Sequence, residues 1–425
     1  MIKGCCARLK TLFRLDQLSP EFLTFINAYF CFSTAVNLSN IFISTFLFSA
    51  GGEMSTIAMY HIFFYFCEML GTYLAVRFSH RISSIAFSVA GIALHLAAYL
   101  VLLIAQERTI HIYPVIGIVS GIGSGFYWIA YFTLIQFYTT EQNRQYGMSY
   151  SGLIGNLIIL IAPSFSGIVL VCIPGHWGYM TVFGIAFLFF AWSVWIIRRL
   201  KSAGKSEKRR VLFPIIREFW RERVLNDSIL CEFIRGLRSG LYVYYFNILI
   251  FSMTSNEFVL GLTSTIKGAA AMLIFYLLGR RPIRRKSRFA LFFVASILGI
   301  CVTSSLFFWY TAVAVVTYSV LDNSTNVIID NYSVFTGYQI TEYISRKRDL
   351  RMENAAIRLI ALECGRITGI VISLLVPTSG KGIIVFFLVL GFLNLPVWWL
   401  YRRASKICEE GHYGNGNDAA TPCNC

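Results

Sequence analysis

Charged residues are scarce in this chain, and the short motifs that mark common enzymes are missing. Asp, Glu, Lys and Arg make up 14% of its 425 residues, and only 21 residues are acidic. The sequence contains no His-Glu-x-x-His, no Gly-x-Ser-x-Gly and no Gly-x-x-x-x-Gly-Lys-Ser/Thr motif, which are the patterns of zinc proteases, serine hydrolases and phosphate-binding loops. These absences argue against the common hydrolase and nucleotide-driven mechanisms, and we expect no metal and no cofactor.

Long apolar stretches are present instead. A helix needs roughly 20 apolar residues to cross the hydrocarbon core of a bilayer, and its backbone polar groups must be satisfied within the segment. The sequence has twelve such stretches, which predicts an all-α membrane protein with twelve transmembrane helices. Their approximate bounds are 22–48, 56–77, 82–105, 111–138, 147–172, 177–198, 229–254, 258–279, 289–309, 311–338, 354–376 and 382–401.

The basic residues predict the orientation of these spans. Of the 37 Lys and Arg, 30 lie in the N-terminal arm, in alternate loops and after Tyr401, whereas the opposite loops hold only Arg108 and Lys381. By the positive-inside rule, both termini are cytoplasmic. The net charge of +16 then reflects topology and contact with anionic lipids of the cell membrane, so we expect no nucleic-acid partner.

The predicted spans form two groups of six, separated by the longest cytoplasmic loop. Phe213, Ile216 and Phe219 stand at near-helical spacing in this loop, which favours an amphipathic helix on the membrane surface. Two pseudo-symmetric six-helix halves suit alternating access. We therefore predict an N-terminal cytoplasmic arm at 1–21, a first half at 22–198, a basic linker at 199–228, a second half at 229–401 and a disordered cytoplasmic tail at 402–425.

Several strings resemble the major facilitator superfamily of transporters. Gly121-Ile-Gly-Ser-Gly-Phe-Tyr-Trp-Ile-Ala, followed by Thr140-Glu-Gln-Asn-Arg144, is similar to the span 4 signature of a branch common in Gram-positive bacteria. Arg235-Gly-Leu-Arg-Ser-Gly240 and Cys364-Gly-Arg-Ile-Thr-Gly369 resemble the same branch, which includes the proton-coupled flippase for the glycolipid anchor of lipoteichoic acid. The resemblance implies a monomeric transporter with the twelve-helix fold of the superfamily.

The loop between spans 2 and 3 departs from that resemblance. The superfamily signature there is Gly-x-x-x-Asp-Arg-x-Gly-Arg-Arg. Gly71 is present, but Ala75 stands in place of the Asp, and the loop reads Arg77-Phe-Ser-His-Arg81. The resemblance therefore does not extend to the Asp of the family's inter-domain charge latch.

Ionisable groups at mid-membrane depth are expensive, so each one is a candidate for function. In the first half, Glu68 and His95 lie near the middle of their spans. Burial favours the protonated form of a carboxyl group, which suits Glu68 to carry a proton. A permanently protonated Glu68, or an ion pair between Glu68 and His95, is the structural alternative. The polar and aromatic candidates for substrate binding in this half are Asn37, Asn40, Tyr127 and Trp128.

The second half carries more charge. Its proton-coupling candidates are Asp322 and Glu363, and its substrate-binding candidates are Arg238, Tyr245, Lys267 and Arg366. An arginine fork matches the geometry of phosphate or carboxylate, which favours an anionic substrate. Glu232 with Arg235, and Glu363 with Arg366, stand three residues apart and can pair on one helix face. If all these charges only neutralise one another, nothing about the substrate follows.

Together these features predict a secondary active transporter, coupled to protons, that exports or flips a small amphipathic or anionic molecule. Its expected partners are that small-molecule or lipid substrate, protons and membrane lipids. One alternative is a transporter-like scaffold that has lost transport and regulates another protein. A second is a membrane enzyme such as an acyltransferase, for which His80 is the candidate histidine at the cytoplasmic face.

Overall fold

The computed structural model describes residues 18–49, 52–105, 108–139, 144–200, 222–279, 285–309, 311–345, 351–375 and 381–413. Within these ranges the chain is helical with short connections and contains no β-strand, which confirms the all-α prediction. The helices are α1 (Pro20–Ser49), α2 (Met54–Phe78), α3 (Ser84–Ala105), α4 (Thr109–Tyr138), α5 (Arg144–Cys172), α6 (His176–Ile197), α7 (Arg223–Thr254), α8 (Glu257–Gly279), α9 (Arg285–Ser305), α10 (Ala312–Ser345), α11 (Arg351–Leu375), α12 (Lys381–Phe392) and α13 (Asn394–Tyr413).

Seven of the described helices are long and apolar enough to cross a membrane, so the chain is an integral membrane protein. These helices are α1, α3, α4, α5, α6, α9 and α10. The count of twelve spans stays a prediction. The amphipathic helix predicted in the linker falls mostly at 201–221, which lies outside the described residues.

The C-terminal end differs most from the sequence prediction. The stretch predicted as span 12 forms two helices, α12 and α13, that meet at Leu393. Pro396 lies in the first turn of α13 and has no N–H to bond the carbonyl of Phe392, which explains the interruption. Helix α13 then continues to Tyr413, into the segment that we expected to be disordered. Residues at helical spacing, Tyr401, Ala404, Ser405 and Cys408, are buried and hold this extension in place.

The described residues divide into two compact units. The first groups those of Met1–Arg210 with Asn256–Gly268, and the second groups those of Val211–Ser255 with Ala269–Cys425. The domain boundaries that we inferred from the sequence stay predictions.

In the first unit, α4 packs on α2 through glycines spaced by four residues. A Cβ atom added to Gly117 would lie 2.9 Å from the carbonyl oxygen of Tyr60, and one added to Gly125 would lie 2.6 Å from the amide nitrogen of Thr72. Gly125 also abuts the backbone of Glu68. Small residues at such spacing allow close helix approach in membranes, and here they fix the position of Glu68.

In the second unit, α7 and α11 present Gly-x-x-x-Gly edges to each other. A Cβ atom added to Gly236 would lie 2.9 Å from the Cα of Gly365, and the reverse distance is also 2.9 Å. One turn along, a Cβ atom on Gly240 would lie 2.6 Å from the Cα of Arg366. The two backbones therefore touch, and the charged side chains that flank these glycines are brought together.

We predict that Gly236→Ala destabilises the protein, because its methyl group has no space between α7 and α11. Overpacking of this kind costs roughly 1–3 kcal/mol. The thermal unfolding midpoint of the purified protein in detergent should fall. Gly184→Ala is the matched control, since a Cβ atom there meets nothing within 4 Å, and its midpoint should not fall. Equal midpoints for the two variants would contradict the proposed backbone contact.

Candidate functional site

The carboxylate of Glu232 lies at the centre of a buried charge network in the second unit. Its Oε2 accepts a hydrogen bond from Arg235 at 2.6 Å. Its Oε1 accepts bonds from Nε of Arg358 at 3.1 Å and from the hydroxyl of Tyr401 at 3.2 Å. Arg235 also donates to Asp330 at 2.8 Å and 3.1 Å. Two arginines thus meet two carboxylates, and the network is neutral.

A second pair joins α7 to α10. Arg238 donates to Oδ1 of Asp322, whose side chain is fully buried. The other oxygen of Asp322, Oδ2, accepts a hydrogen bond from the side-chain amide of Asn326 at 2.9 Å. Both carboxylate oxygens therefore have donors, which is the condition for keeping a buried ion pair ionised.

The pair on α11 is built differently. Arg366 donates from a terminal nitrogen to Oε1 of Glu363 at 2.8 Å and from Nε to the hydroxyl of Ser239 at 3.3 Å. Glu363 is fully buried, yet its Oε2 has no hydrogen-bond partner among the described residues. Leaving a buried charged oxygen without a donor is costly. The ionised form of Glu363 is therefore less favourable than the ionised forms of Asp322 and Glu232. Of the three carboxyl groups, Glu363 is the one that we expect to take up a proton.

Both ion pairs predicted from three-residue spacing are present, Glu232 with Arg235 and Glu363 with Arg366. Three hydrogen-bond partners in these pairs were not predicted from the sequence. Asn326 lies four residues after Asp322, so helical spacing would have identified it. Ser239 and Tyr401 reach their partners from other helices, and no local pattern marks them.

The second half has two further predicted residues, Lys267 and Tyr245. Lys267, on α8, is half-buried and is grouped with the first unit. The side chain of Tyr245 lies outside the described part of the chain. The same is true of Asn40 in the first half.

In the first unit, aromatic rings surround His95 and Tyr127. The His95 ring stacks on Phe190 with centroids 5.3 Å apart, and its Nε2 lies 3.2 Å from the hydroxyl of Ser124. Tyr127 stacks on Phe32 with centroids 3.5 Å apart. The Tyr127 hydroxyl is buried and has no hydrogen-bond partner among the described residues. This unit therefore holds an unused polar group inside an apolar aromatic cluster.

The remaining candidates of the first unit are less distinctive. Trp128 is half-buried and meets Phe32 edge-on, with centroids 6.3 Å apart. Glu68 is 3% exposed. The amide nitrogen of Asn37 donates to the backbone carbonyl of Ser33 at 2.8 Å, so its donor group is used within its own helix.

Comparisons of the sequence and of the structure with known proteins point to the same family. The sequence profile described as Major Facilitator Superfamily matches residues 23–334. The uncharacterized protein YqgE of Bacillus subtilis is 25% identical over 386 residues, which is 89% of each chain. Crystal structures of the Escherichia coli fucose:proton symporter FucP and of the human organic anion transporter MFSD10 each align over 90% of this chain with a TM-score of 0.66 and 13% identity. Those alignments cover 98% and 100% of the two transporters and show a shared fold. The narrower resemblance to the flippase branch stays a prediction.

We predict that Glu232→Gln is far more damaging to stability than Asp330→Asn. Losing the Glu232 charge removes the carboxylate that Arg358 contacts and leaves Arg235 with only the half-exposed Asp330, and breaking a buried pair in this way typically costs about 3–5 kcal/mol. Asp330 is 57% exposed, so its pair with Arg235 should be worth less than about 1 kcal/mol. Thermal unfolding of both variants in detergent measures the difference. A Glu232→Gln midpoint as high as that of Asp330→Asn would show that Glu232 does not organise the network.

Proposed function

The chain belongs to the major facilitator superfamily, and we propose that it is a secondary active transporter that couples movement of a small anionic or amphipathic molecule to movement of a proton. The family and its transporter neighbours support membrane transport. We further propose that the protein lies in the cell membrane with both termini cytoplasmic, as the basic loops predict. Alternating access between two six-helix halves is the transport mode that we propose.

The observation that carries the proton coupling is the Glu363–Arg366 pair. While Glu363 is ionised, it neutralises Arg366 through one oxygen, and the other oxygen has no donor within the described ranges. A proton on that second oxygen removes the negative charge of Glu363. Arg366 stays charged, because a guanidinium group does not lose its proton in proteins. The protonated Glu363 no longer supplies a negative charge beside Arg366, which favours binding of an external anion at this arginine.

The protonation of Glu363 beside Arg366 also indicates the class of substrate. Arg366 is 24% exposed, unlike its fully buried partner, and a guanidinium fork matches a carboxylate or phosphate group. Because the anion binds after Glu363 is protonated, the protein carries the proton and the anion at the same time. Glu68 is the second proposed proton carrier, and Tyr127 and Trp128 are the proposed substrate contacts of the first unit.

The other arginine pairs suit this role less. Asp322 has donors on both oxygens, and Glu232 has three donor residues. Protonating either carboxylate would break several hydrogen bonds at once. We therefore propose structural roles for Arg235, Arg238 and Arg358.

The test uses proteoliposomes that contain a pH-sensitive dye, with organic anions, glycolipids, sugars and nucleosides added in turn. We expect wild-type protein to move protons only with an anionic or amphipathic compound. Glu363→Gln should still exchange that compound but lose the associated proton movement, because the neutral amide imitates the protonated carboxyl group. The control, Glu53→Gln, changes an exposed residue and should behave as wild type.

The other outcomes are equally informative. Arg366→Gln should lose transport of the anion altogether. Unchanged proton movement in Glu363→Gln would contradict its role and transfer it to another group, with Glu68→Gln as the next variant. Folded wild-type protein that moves none of these compounds would favour the non-transporting scaffold.

A further inference from the structure

The turn between α2 and α3 forms a cavity lined by basic side chains. Its volume is about 360 Å³, and its lining residues are Arg77, Phe78, His80 and Arg81. Helix α2 ends at Phe78, and α3 begins at Ser84. The cavity therefore lies at the end of two helices, on the side that the distribution of Lys and Arg predicts to be cytoplasmic.

This turn is held by several hydrogen bonds. The amides of Arg81 and Ile82 donate to the carbonyl of Phe78 at 2.9 Å and 3.0 Å. The buried hydroxyl of Ser79 donates to the carbonyl of Val76 at 2.9 Å. These bonds set the backbone positions from which the basic side chains project.

The basic side chains of the turn differ from the paired arginines of α7 and α11 in their surroundings. Arg77 and Arg81 have no ion-pair partner in the described part of the chain, unlike Arg238 and Arg366. Among the described residues, those that line the cavity include no carboxylate. His80 places Nδ1 3.1 Å from the carbonyl oxygen of Arg77, which leaves Nε2 for another contact. Like charges this close repel each other, so an anion bound among them would be stabilising.

We propose that this cavity binds the phosphate group of an anionic ligand, with the headgroup of an anionic lipid as its source. Arginine forks match phosphate geometry, and basic pockets at the cytoplasmic ends of membrane helices suit anionic headgroups. Phe78 in the cavity and Ile82 beside it are each 39% exposed, and they offer apolar surface to the acyl chains. The site is independent of the proton coupling proposed above.

The experiment compares ligands on the full-length protein in neutral detergent at constant ionic strength. The thermal unfolding midpoint is measured with phosphatidylglycerol, with phosphatidylcholine and with inorganic phosphate. We expect phosphatidylglycerol to raise the midpoint of the wild type and phosphatidylcholine to leave it unchanged. A rise of the same size with inorganic phosphate would retain the phosphate site and identify a soluble phosphate compound as the source.

Variants locate the site. The double variant Arg77→Gln/Arg81→Gln should lose most of the rise caused by phosphatidylglycerol. Arg198→Gln is the matched control, because Arg198 is an exposed arginine at the end of α6 that does not line the cavity, and it should keep the rise. If the double variant does not fold, Arg81→Gln alone serves, since this side chain is exposed. A full rise in the folded cavity variants, or no rise in the wild type with either anion, would overturn the proposal.

Discussion

A charge buried in an apolar helix bundle must be neutralised where it lies, and this requirement organises the second unit. The helices α7, α10 and α11 bring their arginines and carboxylates inside, where an uncompensated charge costs several kcal/mol or more. Each of the arginines Arg235, Arg238, Arg358 and Arg366 meets a carboxylate. The glycine edges of α7 and α11 make this possible, because they let the two backbones touch.

The hydrogen bonds to each carboxylate distinguish the pairs for which we propose a structural role from the pair for which we propose proton coupling. Glu232 and Asp322 have donors on both of their oxygens, which favours their ionised forms and supports the structural roles that we propose for them. Glu363 is equally buried, but in the part of the chain that the structure describes only one of its oxygens has a donor. A buried carboxylate oxygen is costly without a donor. This cost favours the ionised carboxylate in the first two pairs and allows protonation in the third. Its partner Arg366 is the group through which that change would reach a substrate.

Much of this architecture was predictable from the sequence. Hydrophobic length predicts helices close to those observed for α1 to α11, and three-residue spacing predicts the two pairs within single helices. The break at Leu393 depends on Pro396, whose effect inside an otherwise apolar stretch was not anticipated. The partners Ser239 and Tyr401 come from other helices, and only tertiary packing brings them near Arg366 and Glu232. Glycines four residues apart are visible in the sequence, but the helix that each edge contacts is not.

The central claim is that Glu363 changes its protonation state while it stays buried beside Arg366. Infrared difference spectroscopy of the protein in lipid membranes measures this directly, through the carbonyl stretching band of a protonated carboxyl group. We predict that one component of this band grows as the pH is lowered in the wild type and is missing from Glu363→Gln, while Glu53→Gln retains it. Identical spectra for the wild type and Glu363→Gln at every pH where both are folded would contradict the claim, since Glu363 would then be a permanently ionised structural partner of Arg366.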